Sequence, residues 1–276
     1  MTEAPYDRDN FCYRHPDRQS FILCQRCGRT ICTSCQTQAA VRVHCPDCAN
    51  EAKQNAPKRP PVNIRAARAW RNSNGRPVIT FGIIIVTVVV YALQFLSGGV
   101  VTAYLGLRPQ LLEIVPWTPI TSIFTHGGIF HLLLNMFSLF VIGRILEPAL
   151  GRVRFTALYL IAGLGGSALV TWLAYGDLTV GASGSIFGML AALVVIQRGI
   201  GGDVRQLLVI LGINLVIGFF VSSISWQAHV GGILAGAAFG LIIVRTRAIK
   251  QQRLQAGLIV ALAGFLVLAI AARVLS

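Results

Sequence analysis

The sequence predicts an all-α, polytopic membrane protein preceded by a small cysteine-rich module. Three observations predict it. Hydrophobic residues make up 54% of the 276 residues and charged ones only 12%, against about 45–50% and about 25% in soluble domains. The apolar residues gather in runs near 78–97, 129–147, 155–174, 183–198, 205–223, 227–244 and 254–272, close to the ~20 residues that cross a bilayer. All seven cysteines lie between Cys12 and Cys48. Together these exclude a disordered chain, a collagen and a plain cytosolic enzyme.

Residues 1–50 carry four ligand pairs: Cys12-x-x-His15, Cys24-x-x-Cys27, Cys32-x-x-Cys35 and Cys45-x-x-Cys48. An odd cysteine count completed by one histidine suits metal better than disulfides. Eight donors in four knuckles make two closed tetrahedral sites, which is the pattern of structural zinc and leaves no open catalytic position. His44 competes with Cys45, but the C-x-x-C spacing favours the cysteine. Residues 1–50 are polar and lack an apolar signal core, so no cleavable signal peptide is expected. The module is therefore expected in the cytosol, where thiols stay reduced.

Residues 51–76 read as a basic linker with Pro57, Pro60 and Pro61, followed by Arg65, Arg68, Trp70, Arg71 and Arg76. Its end is either a juxtamembrane segment facing anionic headgroups, with Trp70 at the interface, or a solvated tether. Residues 77–248 then hold six spans and residues 249–276 a seventh. The segment 98–128 contains Pro116, Trp117 and Pro119 and is too polar and proline-rich to span. The net charge of +14 first suggests nucleic acid, but its placement does not. With these spans, 22 of the 24 cations fall on one side, leaving only Arg108 and Arg273 on the other. That is the positive-inside pattern, so the chain is expected in the cell membrane with its N-terminus cytosolic and its C-terminus outside.

Ionisable and polar residues inside spans are costly, so each is a functional-site candidate. Ser183 lies 15 residues from Arg198, His229 lies 16 from Arg245, and His131 lies 16 from Glu147. At about 1.5 Å per residue, all three reach one layer roughly 22–24 Å from the cytosolic edge. A serine becomes a nucleophile when a base in hydrogen-bond reach takes its proton, and His229 can supply that base. Gly232, Gly236 and Gly240 repeat every four residues after it, the small-xxx-small face of a tightly packed helix pair. The fourth and sixth spans are therefore expected to touch along these glycines, with Phe187, one turn from Ser183, stacked on the imidazole. Ser183 opens its helix, whose positive dipole end favours a developing oxyanion. His131 and Asn135, at i and i+4, project side by side and can donate to it alongside the Ser183 N–H. Ser185 reads as a packing serine, Asp177 as a solvated turn residue rather than a third triad member, and Glu147 as a structural carboxylate paired with a nearby arginine.

The segments Phe-Thr-His-Gly-Gly-Ile-Phe-His-Leu-Leu-Leu-Asn (124–135), Gly-Arg-Ile-Leu-Glu (143–147), Gly-Ala-Ser-Gly (181–184) and Ala-His-Val-Gly-Gly-Ile-Leu-Ala-Gly (228–236) resemble the rhomboid family of intramembrane serine proteases. The resemblance covers roughly residues 78–245. It implies a six-helix rhomboid-like core in which Ser183 is the nucleophile, His229 the general base, and His131 and Asn135 the oxyanion donors. Transmembrane proteins cut near the outer face would be the substrates, with no cofactor for catalysis. His126 falls where the family often has a further loop histidine and is given no chemistry. Thr118 follows Trp117 where many members have arginine, and Phe187 stands where tyrosine is common. The seventh span resembles the extra C-terminal helix of some rhomboids. The cysteine module resembles a B-box zinc finger, which implies that alternate pairs share a metal. One zinc would then take Cys12, His15, Cys32 and Cys35, and the other Cys24, Cys27, Cys45 and Cys48; sequential sharing is the alternative, because the last pair lacks the usual histidines. Such a module docks a protein partner, regulates the protease or simply caps it. The competing reading for the membrane part is a catalytically silent rhomboid-like protein that binds or escorts membrane clients, and the presence of both Ser183 and His229 speaks against it. A small-solute transporter would show an internal repeat and midplane helix breaks, which are not seen. No nucleic-acid partner is expected.

Overall fold

The computed structural model describes residues 10–38, 43–55, 77–220 and 224–276, with side chains throughout except at 219 and 220. The basic run Arg65, Arg68, Trp70, Arg71 and Arg76 lies outside the described residues. The chain divides into two compact units, Met1–Pro61 and Val62–Ser276.

The first unit is built around its cysteines. Strands β1 (Phe11–Cys12) and β2 (His15–Gln19) pair antiparallel, as do β3 (Thr37–Gln38) and β4 (Val43–His44), and helix α1 (Pro46–Gln54) follows. Six of the seven cysteines are buried with Ile31, and among the described residues only the partly buried Tyr13 and Val43 pack against that core. So small a core does not hold a module of this size without staples. The Cys45 thiol starts α1 by accepting the Cys48 N–H, with Pro46 in the first turn.

Among its described residues, the second unit contains seven apolar helices: α2 (Val78–Leu96), α5 (Ile129–Leu150), α6 (Arg152–Leu173), α7 (Ser183–Gly199), α8 (Arg205–Phe220), α9 (Trp226–Arg245) and α10 (Gln252–Val274). Five helical stretches, of which the last takes in Ile249–Val274, are long and apolar enough to cross a membrane, while α7 and α8 are shorter. The chain is a multi-pass membrane protein. Between α2 and α5, the segment expected not to span forms only short turns of helix, α3 (Val100–Leu105) and α4 (Thr118–Thr121), with 3-10 turns beside them. It is tied to the bundle where Ser167 Oγ donates to Pro119 O at 2.7 Å and where Leu107 and Thr179 exchange both backbone hydrogen bonds.

Helices α6, α7 and α9 form the centre. Each brings glycine to the contact, so backbones meet where side chains ordinarily hold them apart. A methyl on Gly232 or Gly236 would overlap the carbonyl oxygens of Gly184 and Gly188, and one on Gly188 would come 2.6 Å from Gly232 O. On the other side of α9, a methyl on Gly166 would come 2.7 Å from Ala228 O. The expected contact between the fourth and sixth spans is present. It includes α6 as well.

Glu147 is where the sequence reading needs correction. Among the described residues no arginine pairs with it. Its carboxylate accepts the N–H groups of Ile79 and Thr80, at 2.9 and 2.8 Å, and the Thr80 hydroxyl at 2.8 Å. It is 3% exposed. The first-turn N–H groups of α2 have no partner within their own helix, and the positive end of the helix favours an anion there. A helix terminus thus replaces the arginine, and the sequence separation of 67 and 68 residues hid it. Replacing Glu147 with alanine is expected to cost about 2–3 kcal/mol, because charged hydrogen bonds are lost and buried donors left unpaired. Equilibrium unfolding in mixed micelles measures this directly.

Candidate functional site

Helix α7 begins at Ser183 and has 17 residues, about 26 Å at the helical rise. That is shorter than the ~30 Å hydrocarbon layer, so a chain end of this helix stops inside it. Gly181 makes the preceding turn at φ +122°, a conformation glycine adopts without strain, and its N–H donates to Ser122 O at 3.0 Å. Helix α9 begins at Trp226, capped by Ser225 Oγ accepting the Ala228 N–H. His229 therefore falls in its first turn, level with the first turn of α7.

Ser183 Oγ and His229 Nε2 are 2.9 Å apart. The Phe187 ring lies parallel to the imidazole, with centroids 4.0 Å apart and planes at 14°. His229 is 4% exposed, and its Nδ1 has no hydrogen-bond partner among the described residues. Asp177 is an exposed turn residue whose N–H donates to Ala174 O; it is not hydrogen-bonded to His229.

His131 and Asn135 share a face of α5 and line the same cavity of about 1160 Å³ as Ser183, Phe187 and His229. One amide hydrogen of Asn135 is donated to His131 O at 2.9 Å, which leaves the second for another acceptor. The His131 ring is held edge-on by His126, centroids 5.0 Å apart. Gly181 also leaves it room, since a methyl there would come 2.8 Å from His131 Nε2. The four residues read from the sequence thus surround one cavity. Ser185 is fully buried against Gly163 of α6, where a methyl would come 2.6 Å from its hydroxyl. Trp117, without a following arginine, is anchored by donating its indole N–H to Tyr104 O at 2.9 Å.

Two cavity residues escaped the sequence reading. Gly218 of α8 faces the imidazole so closely that a methyl there would come 3.1 Å from His229 Nδ1. Asn214, one turn earlier, also lines the cavity. A glycine inside an apolar run is the available signal for a close approach, yet nothing in the run says which helix approaches.

The metal donors form two clusters, Cys12, His15, Cys32 and Cys35 in one and Cys24, Cys27, Cys45 and Cys48 in the other. Alternate pairs come together, and sequential sharing does not occur. His15 Nδ1 lies 3.7, 3.4 and 3.3 Å from the sulfurs of Cys12, Cys32 and Cys35, and Cys27 Sγ lies 3.7 Å from Cys45 Sγ. Metal–sulfur bonds of about 2.3 Å in a tetrahedron separate ligand atoms by about 3.7 Å, so the donor sets fit such an ion. Burial disfavours thiolates at Cys12 and Cys24. Backbone hydrogen bonds from Cys32 and Arg14 to the first, and from Cys45 and Arg26 to the second, outweigh it and lower both to about 6. Arg29 supports the second cluster: it donates to Cys27 Sγ at 3.4 Å, lies 4.3 Å over the Tyr13 ring, and pairs with Asp47 at 3.3 Å. These residues can hold two metal ions.

Residues 115–246 match the family described as Rhomboid domain. The chain is 34% identical over 210 residues to Rhomboid protease GluP of Bacillus subtilis, covering 70% of this chain and 41% of that protein. It is 40% identical over 138 residues to RHOMBOID-like protein 5 of Arabidopsis thaliana, covering 46% of this chain and 44% of the relative. Rhomboid-like protease 5 of Toxoplasma gondii is 32% identical over 133 residues, 45% of this chain and 16% of that protein. The chain spans less than half the length of these relatives.

If the clusters are independent, Cys32→Ser and Cys45→Ser should each lower the bound metal from two ions to about one. The double substitution should remove both. Elemental analysis of the purified protein tests this; loss of both ions from either single variant would mean the sites are not separate.

Proposed function

We propose, from the premise that residues 115–246 are a rhomboid domain, that this chain is an intramembrane serine endopeptidase cutting transmembrane proteins near the outer membrane face. The observation that carries the reading is the 2.9 Å contact between Ser183 Oγ and His229 Nε2 inside a cavity shared with His131 and Asn135. A buried serine that only packs a helix does not need an imidazole of another helix at hydrogen-bond distance.

Ser183 Oγ attacks the scissile carbonyl carbon while its proton passes to His229 Nε2. The new C–O bond drives the carbonyl electrons onto oxygen. His131, the second amide hydrogen of Asn135 and the Ser183 N–H at the helix start donate to that oxyanion. Collapse breaks the C–N bond, and His229 returns the proton to the leaving amine. Water, deprotonated by the same imidazole, then cleaves the acyl-enzyme. His229 works as a dyad member whose plane is held by the Phe187 ring, because among the described residues its Nδ1 has no hydrogen-bond partner.

The placement of cations supports a cytosolic N-terminus and an external C-terminus in the cell membrane. In the N-terminal unit we assign two structural zinc ions to the thiolate-rich clusters, where soft sulfur donors favour zinc. They hold the module together and take no part in hydrolysis.

In a cleavage assay with a transmembrane reporter, Ser183→Ala is expected to be inactive, and Asn135→Ala to lose about 10²–10³-fold. Retention of cleavage by Ser183→Ala would end the proposal. Gly218→Val, which crowds His229 Nδ1, is expected to slow fluorophosphonate labelling of Ser183 by roughly tenfold or more, since small misplacements of a catalytic group carry large rate costs.

A further inference from the structure

We infer that Gln94 is a positioning residue for the oxyanion site, acting on His131 through a backbone clamp on His126. This rests on the endopeptidase reading above. Gln94 sits in α2, a helix otherwise mostly exposed to lipid, yet is only 7% exposed itself. A buried amide in an apolar span carries a cost that calls for a use. Gln94 Oε1 accepts the His126 N–H at 2.9 Å, and its Nε2 donates to His126 O at 3.3 Å. Both polar groups of one peptide residue are thus held by one side chain. The remaining amide hydrogen goes to Thr102 Oγ1 at 2.8 Å.

The clamp matters because it holds both backbone polar groups of His126 at once. The residue is 2% exposed, and neither ring nitrogen has a partner among the described residues. Its backbone therefore sets where the ring lies, and that ring abuts His131 edge-on at 5.0 Å. The Gly181 turn also abuts the His131 ring, since a methyl there would come 2.7 Å from its Cε1. Releasing the clamp frees one wall of this slot and lets the His131 ring turn away from the position where oxyanion charge develops. Gln94 touches neither substrate nor reacting atoms.

A double-substitution cycle with two readouts tests the inference. Gln94→Ala is expected to lower kcat about tenfold with KM held within about twofold, a fraction of what a fully lost oxyanion donor costs. In a His131→Ala background the same substitution should change kcat less than about twofold, because the group it positions is gone. Gln94→Glu, which keeps the acceptor for the His126 N–H, should fall between. Thr102→Val removes only the bond not directed at His126 and should leave kcat unchanged. Equal losses from Gln94→Ala in both backgrounds would overturn the inference, as would a loss matched by Thr102→Val. The second readout does not need activity. In the Ser183→Ala protein, the imidazole nitrogen resonances of His131 should shift with Gln94→Ala and stay in place with Thr102→Val. Unmoved resonances refute the clamp even where the parent cleaves; shifted resonances in a parent without Ser183-dependent cleavage would leave the clamp standing and remove the endopeptidase reading instead.

Discussion

The direct approach of the α7 and α9 backbones is the constraint on which the second unit depends. Gly184 and Gly188 face Gly232 and Gly236 with no side chain between them. Lipid tails supply no hydrophobic drive to bring two helices together, so close van der Waals contact and the small residues that permit it must do so. Once these four glycines set the distance and register, the first turns of both helices are level. The separation of Ser183 Oγ and His229 Nε2 then follows from the register, since each residue lies one to three positions ahead of a contacting glycine. A larger residue at any of these contacts would widen the helix pair and spoil the 2.9 Å distance without touching either side chain.

A second constraint shapes everything around that pair. In hydrocarbon every polar group needs a partner from the protein itself. Glu147 finds the open N-terminus of α2, Ser167 finds a carbonyl of α4, and Gln94 finds the backbone of His126. Each of these bonds joins a spanning helix to another element far away in sequence. The packing of α6, α7 and α9 gives the bundle its centre, and these polar ties fix α2 and the segment between α2 and α5 to it. The metal-binding unit solves a different problem by different means, since its four small strands and single helix bury little besides cysteine.

Much of this was legible in the sequence, for identifiable reasons. The seven helices follow from hydropathy because backbone satisfaction in lipid leaves few alternatives. That Ser183, His229 and His131 line one cavity agrees with the common layer expected from the constant helical rise counted from charged residues. The alternate sharing of metal ligands is what the resemblance to a B-box finger implies, whereas the spacing of the knuckles alone leaves sequential sharing open. What could not be read were contacts made with backbone groups or through the absence of a side chain. Glu147 looked like half of an ion pair because arginines are near it in sequence, whereas its partners are backbone amides 67 and 68 residues away. Backbone donors leave no trace in residue type. Gly218 and Gln94 were passed over for the same reason: one is the absence of a side chain, and the other bonds to a peptide group that any residue would supply.

The Nδ1 of His229, which has no hydrogen-bond partner among the described residues, bears on how two residues can do the work proposed for them. In a triad, a carboxylate on Nδ1 holds the imidazole in one tautomer and orientation. Burying a carboxylate beside His229 would carry a desolvation penalty of several kcal/mol per ion in so apolar a setting. The structure holds the ring by shape instead, with the Phe187 ring parallel to one face at 4.0 Å and Gly218 against Nδ1. Shape fixes the plane at no cost in buried charge, though it gives the imidazolium no counter-ion when the proton arrives. In the proposed reaction that positive charge is matched by the oxyanion formed in the same step. The dyad therefore needs its oxyanion donors to be accurately placed, which gives physical weight to a clamp that acts only on the position of His131.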